Sequence, residues 1–188
     1  MPQLSPNTAL IIVDVQKGLD EHDYYGGHRN NPDAEANMAR ILQFWRETKR
    51  PIFHIKHNST EPNSPLRPNQ AGNEIKPEVA PQGDEPLIAK TVNSAFIGTN
   101  LEERLRKANI QQLVIVGLTT NHCVSTTVRM AGNLGFDTYL VADATAAFDR
   151  VGHDGTVFPA QVIHDTTLAS IHDEFAQVLD TQDLLNLS

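Results

Sequence analysis

The 188-residue chain holds one cysteine, Cys123, so no disulfide can form within it. That excludes a disulfide-stapled secreted scaffold and fits a reducing, cytoplasmic compartment. Basic residues are also few: 15 Lys and Arg stand against 23 Asp and Glu, for a formal net charge of -8. A chain this acidic, with no basic stripe, is poorly suited to nucleic acid or an anionic membrane surface. Long hydrophobic runs are missing as well. The apolar stretches are strand-length, far below the roughly 20 residues of a membrane-spanning helix. The segment Met1 to Thr8 is polar and contains proline, with no basic region leading into an apolar one, so no signal peptide is expected. Repeats, low-complexity segments and obvious linkers are absent, and the expectation is a single domain over residues 1–188.

What is present is the composition of a soluble globular protein, 39% hydrophobic and 20% charged, with enough length for one substantial core. The β-branched run from Ala9 to Val15 is too short for a helix and predicts a strand buried on both faces. From Asp33 to Lys49, Ala34, Met38, Ile41, Leu42 and Trp45 recur at spacings of three and four, which predicts a helix. Further strands are expected over Pro51 to Ile55, Leu87 to Ala89, Gln112 to Gly117, Phe136 to Ala142 and Phe175 to Leu179. Helices are expected over Asn100 to Ala108, Thr120 to Leu134 and Thr156 to Ser170. Gly135 suits a helix C-terminus. Asn58 to Pro86, rich in Pro, Asn, Gly and Glu, reads as a long functional or mobile loop. Strands alternating with helices predict an α/β fold, a three-layer α/β/α arrangement around a mostly parallel six-stranded sheet. In such sheets the ligand site lies beyond the carboxyl ends of the strands.

Three chemically capable residues fall at such positions. Asp14 lies near the end of the first strand, Lys90 follows the short third strand, and Cys123 sits in the first turn of a helix. A thiol at a helix start would face backbone N–H groups and the positive end of the helix dipole, both of which favour thiolate. A carboxylate and an ammonium beside it would supply a proton acceptor and a charge partner. Each residue also has a structural reading: a small buried core residue, a turn cap, a solvated charge.

Three ordered motifs decide between these readings. Ala9-Leu-Ile-Ile-Val-Asp14-Val-Gln16, Lys90-Thr-Val-Asn-Ser94-Ala-Phe96 and Gly117-Leu-Thr-Thr-Asn-His-Cys123-Val-Ser-Thr126-Thr127 together resemble the isochorismatase-like hydrolases, as does Asp143-Ala144. The resemblance spans roughly Thr8 to Leu179. It implies a catalytic triad of Asp14, Lys90 and Cys123. It also implies a non-proline cis peptide at Leu118-Thr119, aiming the Thr119 N–H beside that of Cys123 as an oxyanion hole. The activity implied is hydrolysis of a C–N bond in a small-molecule amide, with no cofactor. Family members without the cysteine cleave a vinyl ether instead. Assemblies are common in the family, so a homo-oligomer is expected, with Trp45, Leu184, Leu185 and Leu187 as candidate contacts.

Nicotinamidases of the same superfamily bind a metal through an Asp-x-His motif after the second strand. Here that region reads His54-Ile-Lys-His57-Asn58, without the Asp, so no metal is expected and His54 and His57 are weak candidate ligands. The stretch Tyr24 to Pro32, with Ser64 to Pro68 and Ala71 to Asn73, resembles the streptothricin-hydrolase-like branch, whose members open a lactam. Candidate substrate contacts are Gln16, Tyr24, Arg29, Arg67, Phe96 and His122, with Tyr25 as a further wall. Arg29 and Arg67 are the residues suited to a substrate carboxylate or carbonyl. The alternatives are a metal-dependent nicotinamidase-type amidase, a catalytically silent paralogue acting by binding, and a nucleotide-binding module. The last is disfavoured because the turn after the first strand, Val15 to Leu19, lacks G-x-G-x-x-G and P-loop spacing.

Overall fold

The computed structural model describes residues 4–187; the start of the polar N-terminal segment, residues 1–3, and residue 188 lie outside the described residues. The six predicted strands form one sheet. They are β1 (Ala9–Val13), β2 (Ile52–His57), β3 (Leu87–Lys90), β4 (Gln112–Leu118), β5 (Asp137–Ala146) and, at the far edge, β8 (Gln177–Leu179). Their spatial order is β3-β2-β1-β4-β5-β8, and every pairing is parallel. β1 is central and all five of its residues are buried, as an uninterrupted apolar run requires.

Strand alternation divides the core into two layers. Leu10 and Ile12 face one layer with Met38, Ile41, Leu42 and Trp45 of helix α2 (Ala34–Glu47) and Leu184 of α6 (Thr181–Asn186). Ala9, Ile11 and Val13 face the other, with Leu101 and Leu105 of α3 (Leu101–Lys107), Val128 and Ala131 of α4 (Ser125–Asn133) and Ile171 of α5 (Ala160–Ile171). The architecture is therefore the three-layer α/β/α fold. At roughly 1.5–3 kcal/mol per buried large apolar side chain, these two layers dominate its stability.

Helix α4 ends as its glycine predicts. Gly135 has φ 80, its N–H bonds to Gly132 O, and the Phe136 N–H bonds to Ala131 O, the paired bonds of a Schellman motif.

Several expectations shift. The predicted helix from Thr120 begins with a turn of π-helix, Thr120–Val124, before α4. The helix expected from Thr156 starts at Ala160. The preceding residues form a small antiparallel hairpin, β6 (Arg150–Val151) with β7 (Val157–Phe158), and Pro159 caps the helix instead of sitting inside it. Trp45 and Leu184 are not interface residues: both are fully buried, and the Trp45 indole donates to Thr8 O. Leu187 packs against the same core layer. The large apolar side chains left exposed include Val151, Val157 and Phe158 of the hairpin. Among the described residues no helix is long and apolar enough to cross a membrane.

Candidate active site

The sheet order reverses at β1, whose neighbours β2 and β4 carry the chain away in opposite directions, and the site opens beyond their carboxyl ends. Asp14 follows β1 directly with φ 53, a left-handed conformation that turns its side chain out of the strand. Lys90 closes β3, paired in register with His57 at the end of β2. Gly117, φ 131, lets β4 close onto β1: a Cβ there would stand 2.1 Å from Val13 O. A shift in register between Ile115 and Gly117 then leads to the cis peptide Leu118-Thr119 and the turn holding Cys123. Irregular backbone is concentrated where side chains must be re-aimed.

The three triad candidates converge although they are separated by up to 109 positions in sequence (123 − 14). Lys90 Nζ stands 2.5 Å from Asp14 Oδ2 and 3.2 Å from His57 Nδ1. Both partners of this ion pair are essentially inaccessible to solvent. The ammonium can only donate, so His57 Nδ1 is an acceptor there and the imidazole is neutral. Burial and the Lys90 charge together hold the His57 pKa down, to about 4. Asp14 Oδ1 is buried and carries no hydrogen bond. A carboxylate oxygen of Asp14, a ring nitrogen of His57 and Cys123 Sγ lie within 4.8 Å of one another.

The electrostatics differ from the sequence expectation at one point. Burial at Cys123 works against the thiolate that a helix start would favour. Burial pushes its thiol pKa well up, and the Asp14 charge adds to this, while Lys90 opposes both. Asp14 is itself raised by burial, against the lowering influence of Lys90. A protonated thiol beside an unusually basic carboxylate is a proton donor matched with its acceptor.

These groups border a cavity of about 300 Å³, lined also by Tyr24, Tyr25, Leu66, Thr119 and His122. Tyr24 and Tyr25 meet edge to face, and Tyr25 stacks on Phe148 with ring centroids 5.3 Å apart. Four other candidates lie elsewhere. Gln16 is a clamp: its Nε2 donates to His57 O and Asn73 O, its Oε1 accepts from the His57 N–H, and it is buried away from the cavity. Arg29 grips Glu35 through two hydrogen bonds of 2.7 and 2.6 Å. Arg67 is exposed and donates to Pro62 O. Phe96 packs against Phe136 and the core.

Sequence reasoning missed Ser59, Ser64 and Leu66, brought to the cavity by the long loop, and Asn93. Ser64, Leu66 and Asn93 lay within the motif stretches but were not singled out, and Ser59 had only the loop's length as a signal. It also missed the support beneath the Cys123 turn. Buried His164 stands 2.9 Å from Thr120 Oγ1, and its other ring nitrogen is 3.4 Å from Asn31 Nδ2. The Asn31 amide itself donates to Ala142 O and Thr145 O, so His164 and Asn31 together tie the Cys123 turn to β5.

For a metal, the donor set is awkward. His54 and His57, three apart on a strand, point to opposite faces. His54 bonds Glu85 at 2.8 Å, away from the cavity. Of the grouped donors Asp14, His57 and Cys123, two already face the Lys90 ammonium, which a cation would have to displace.

Comparison with known proteins gives the family and the fold. The isochorismatase domain family matches residues 8–183. An isochorismatase family protein of Bacillus subtilis, YrdC, is 53% identical over 178 residues, covering 95% of this chain and 94% of its own. The solved structure of an isochorismatase-family protein from Chromobacterium violaceum superposes with a TM-score of 0.94 at 41% identity, covering 100% of this chain and 96% of that one. More distant relatives are nicotinamidase 3 of Arabidopsis thaliana, 27% identical over 94% of this chain and 86% of its own, and a streptothricin hydrolase of Streptomyces noursei, 29% identical over 93% and 65%. With the family's sequence pattern across nearly its whole length and the family's fold, this chain belongs to the isochorismatase family.

Proposed function

We propose that the chain is a cysteine hydrolase that cleaves a C–N bond of a small amide, lactam or ureido compound through an acyl-enzyme on Cys123. The observation that carries this reading is the division of labour on Asp14. Lys90 occupies Oδ2, Oδ1 is buried and unbonded, and Asp14 borders the same cavity as Cys123. An unbonded carboxylate oxygen raised in basicity beside a protonated thiol suits general-base catalysis. Two relatives named for hydrolysis, one of them of nicotinamide, an amide, support the same direction.

In the proposed cycle Asp14 takes the Cys123 proton as sulfur attacks the carbonyl carbon. The Thr119 and Cys123 N–H groups hold the oxyanion. Asp14 then gives that proton to the leaving nitrogen, the C–N bond breaks and an amine departs. Water, deprotonated by Asp14, attacks the thioester; the C–S bond breaks, the acid leaves and the thiol regains its proton. Lys90 keeps the Asp14 carboxylate in place and its charge compensated throughout.

The test is release of acid or ammonia from a panel of nicotinamide, streptothricin, biuret and ureido acids, with and without chelator. Replacing Cys123 with Ala abolishes turnover and leaves the thermal midpoint close to wild type. Retained activity in Cys123→Ala would refute the mechanism, and chelator-sensitive nicotinamide turnover would point to a metal-dependent amidase instead.

A further inference from the structure

The cavity walls carry almost no net charge. Among its described lining residues Asp14 is the one carboxylate, and no lysine or arginine occurs. The Asp14 charge is already met from behind by Lys90. His57 and His122 are both held neutral, chiefly by burial. The two arginines suited to an anionic substrate are committed elsewhere, Arg29 to Glu35 and Arg67 to the Pro62 carbonyl. Arg150 acts on His122 from β6, but it is exposed and does not line the cavity. A substrate carboxylate would therefore enter the cavity with no cationic partner, and an ammonium would meet a carboxylate already neutralised. Both are strongly unfavourable.

Besides Asp14 Oδ1, a buried donor at this cavity is unused. The Tyr25 hydroxyl is buried and has no hydrogen-bond partner. Its ring is held by the stack on Phe148 and by Tyr24. Burial pushes the phenol above its ordinary pKa, so it remains a donor at any working pH. A buried hydroxyl left unpaired costs about 1–3 kcal/mol, which a ligand acceptor would recover.

We propose that this cavity selects an uncharged, compact amide, and that the Tyr25 hydroxyl is the specificity-determining donor that recognises its polar edge. The proposal deepens the hydrolase reading and rests on Cys123 as the reactive thiol of the cavity. It narrows the substrate class to primary amides, small lactams and neutral ureas, and sets aside carboxylate-bearing ureido acids.

Alkylation of Cys123 tests this without requiring turnover. Iodoacetamide and iodoacetate react alike: the sulfur–carbon bond forms, iodide leaves and the thiol proton is lost. They differ in that iodoacetate carries a charge. The rate ratio of iodoacetamide to iodoacetate at Cys123, followed by mass spectrometry, should exceed that of glutathione at the same pH by more than about tenfold, as an uncompensated buried charge requires. Tyr25→Phe should slow iodoacetamide by about fivefold, the value of one lost hydrogen bond. It should leave methyl methanethiosulfonate, which has no carbonyl, reacting at the wild-type rate. The variant should fold at least as well as the parent, since it deletes an unpaired group. A ratio at or below that of glutathione overturns the selectivity and makes Arg150 the source of anion recognition. A Tyr25→Phe effect that is nil, or equal on both reagents, overturns the role of the hydroxyl. A selective thiol that hydrolyses no amide would sink the hydrolase reading and support the cavity's preference; an active enzyme with an unselective thiol would do the reverse.

Discussion

Two buried clusters in this protein pair carboxylates with cations, and they are built to opposite ends. At Glu35 both oxygens are spoken for: Arg29 binds each of them and Lys76 Nζ stands 2.7 Å from Oε1. Despite burial, these partners hold the Glu35 pKa down at about 2. At Asp14 only one oxygen is taken, and burial wins over Lys90, so the pKa rises. Saturated hydrogen bonding makes a carboxylate a fixed anion that ties α2 to its neighbouring loops. Leaving one oxygen unbonded makes a carboxylate that can take a proton. Burial and a cationic neighbour are common to both; what sets Asp14 apart is the oxygen left without a partner.

The widest separation should appear in catalysis. Asp14→Asn keeps the shape but cannot accept the thiol proton, and we expect kcat/KM to fall about 10³-fold, the scale of a lost general base. Glu35→Gln should leave kcat of the folded enzyme near wild type. Comparable losses in the two variants would erase the distinction.

Stability should reverse the order. Glu35→Gln takes the carboxylate from buried Arg29, while Lys76 keeps its pair with Asp20, and should cost about 3 kcal/mol in urea unfolding. By contrast, replacing Asp14 and Lys90 together by Leu and Met removes a desolvated pair from an apolar setting. That double variant should be inactive yet as stable as the parent, or more so. A large destabilisation would mean that the Asp14–Lys90 pair holds the fold as well as the site.

The smallest effect should be a difference in pH slope. Glu35, depressed in the folded state, contributes stability that is complete above its unfolded pKa and is lost as pH falls toward about 2. His57, held neutral, adds a loss of the same sign between its ordinary value of 6.5 and about 4. Asp14, raised, works the other way: its contribution is present at low pH and is lost as pH rises through its folded value. Unfolding free energy should thus decline on acidification below about pH 6.5, and more steeply below about 4.5. Glu35→Gln should flatten the lower limb alone; an unchanged slope there would mean that Glu35 is not the group responsible.

Much of this was legible in the chain itself. Patterns of period two and 3.6 are local, so β1, α2 and the other strands could be read from residues such as Ile11, Met38 and Val114. The motifs around Asp14, Lys90 and Cys123 marked the family, because family members carry chemistry on recurring local patterns. What could not be read was which polar side chains are already occupied. Arg29 and Arg67 look equally free in sequence, yet one is locked to Glu35 and the other turns to a loop carbonyl. Gln16 looks like a ligand contact and is a clamp on His57. Trp45, offered as an interface residue, is core.

The sequence by itself determined the α/β architecture and the family, and named Asp14, Lys90 and Cys123 as candidate reactive groups, since these follow from local periodicity and short motifs. Only the tertiary structure decided the burial that pushes the Cys123 thiol up, the unbonded oxygen of Asp14 and the charge of the cavity. Those depend on desolvation and on hydrogen bonds between residues distant in the chain, and no local pattern records which partners a folded side chain has found.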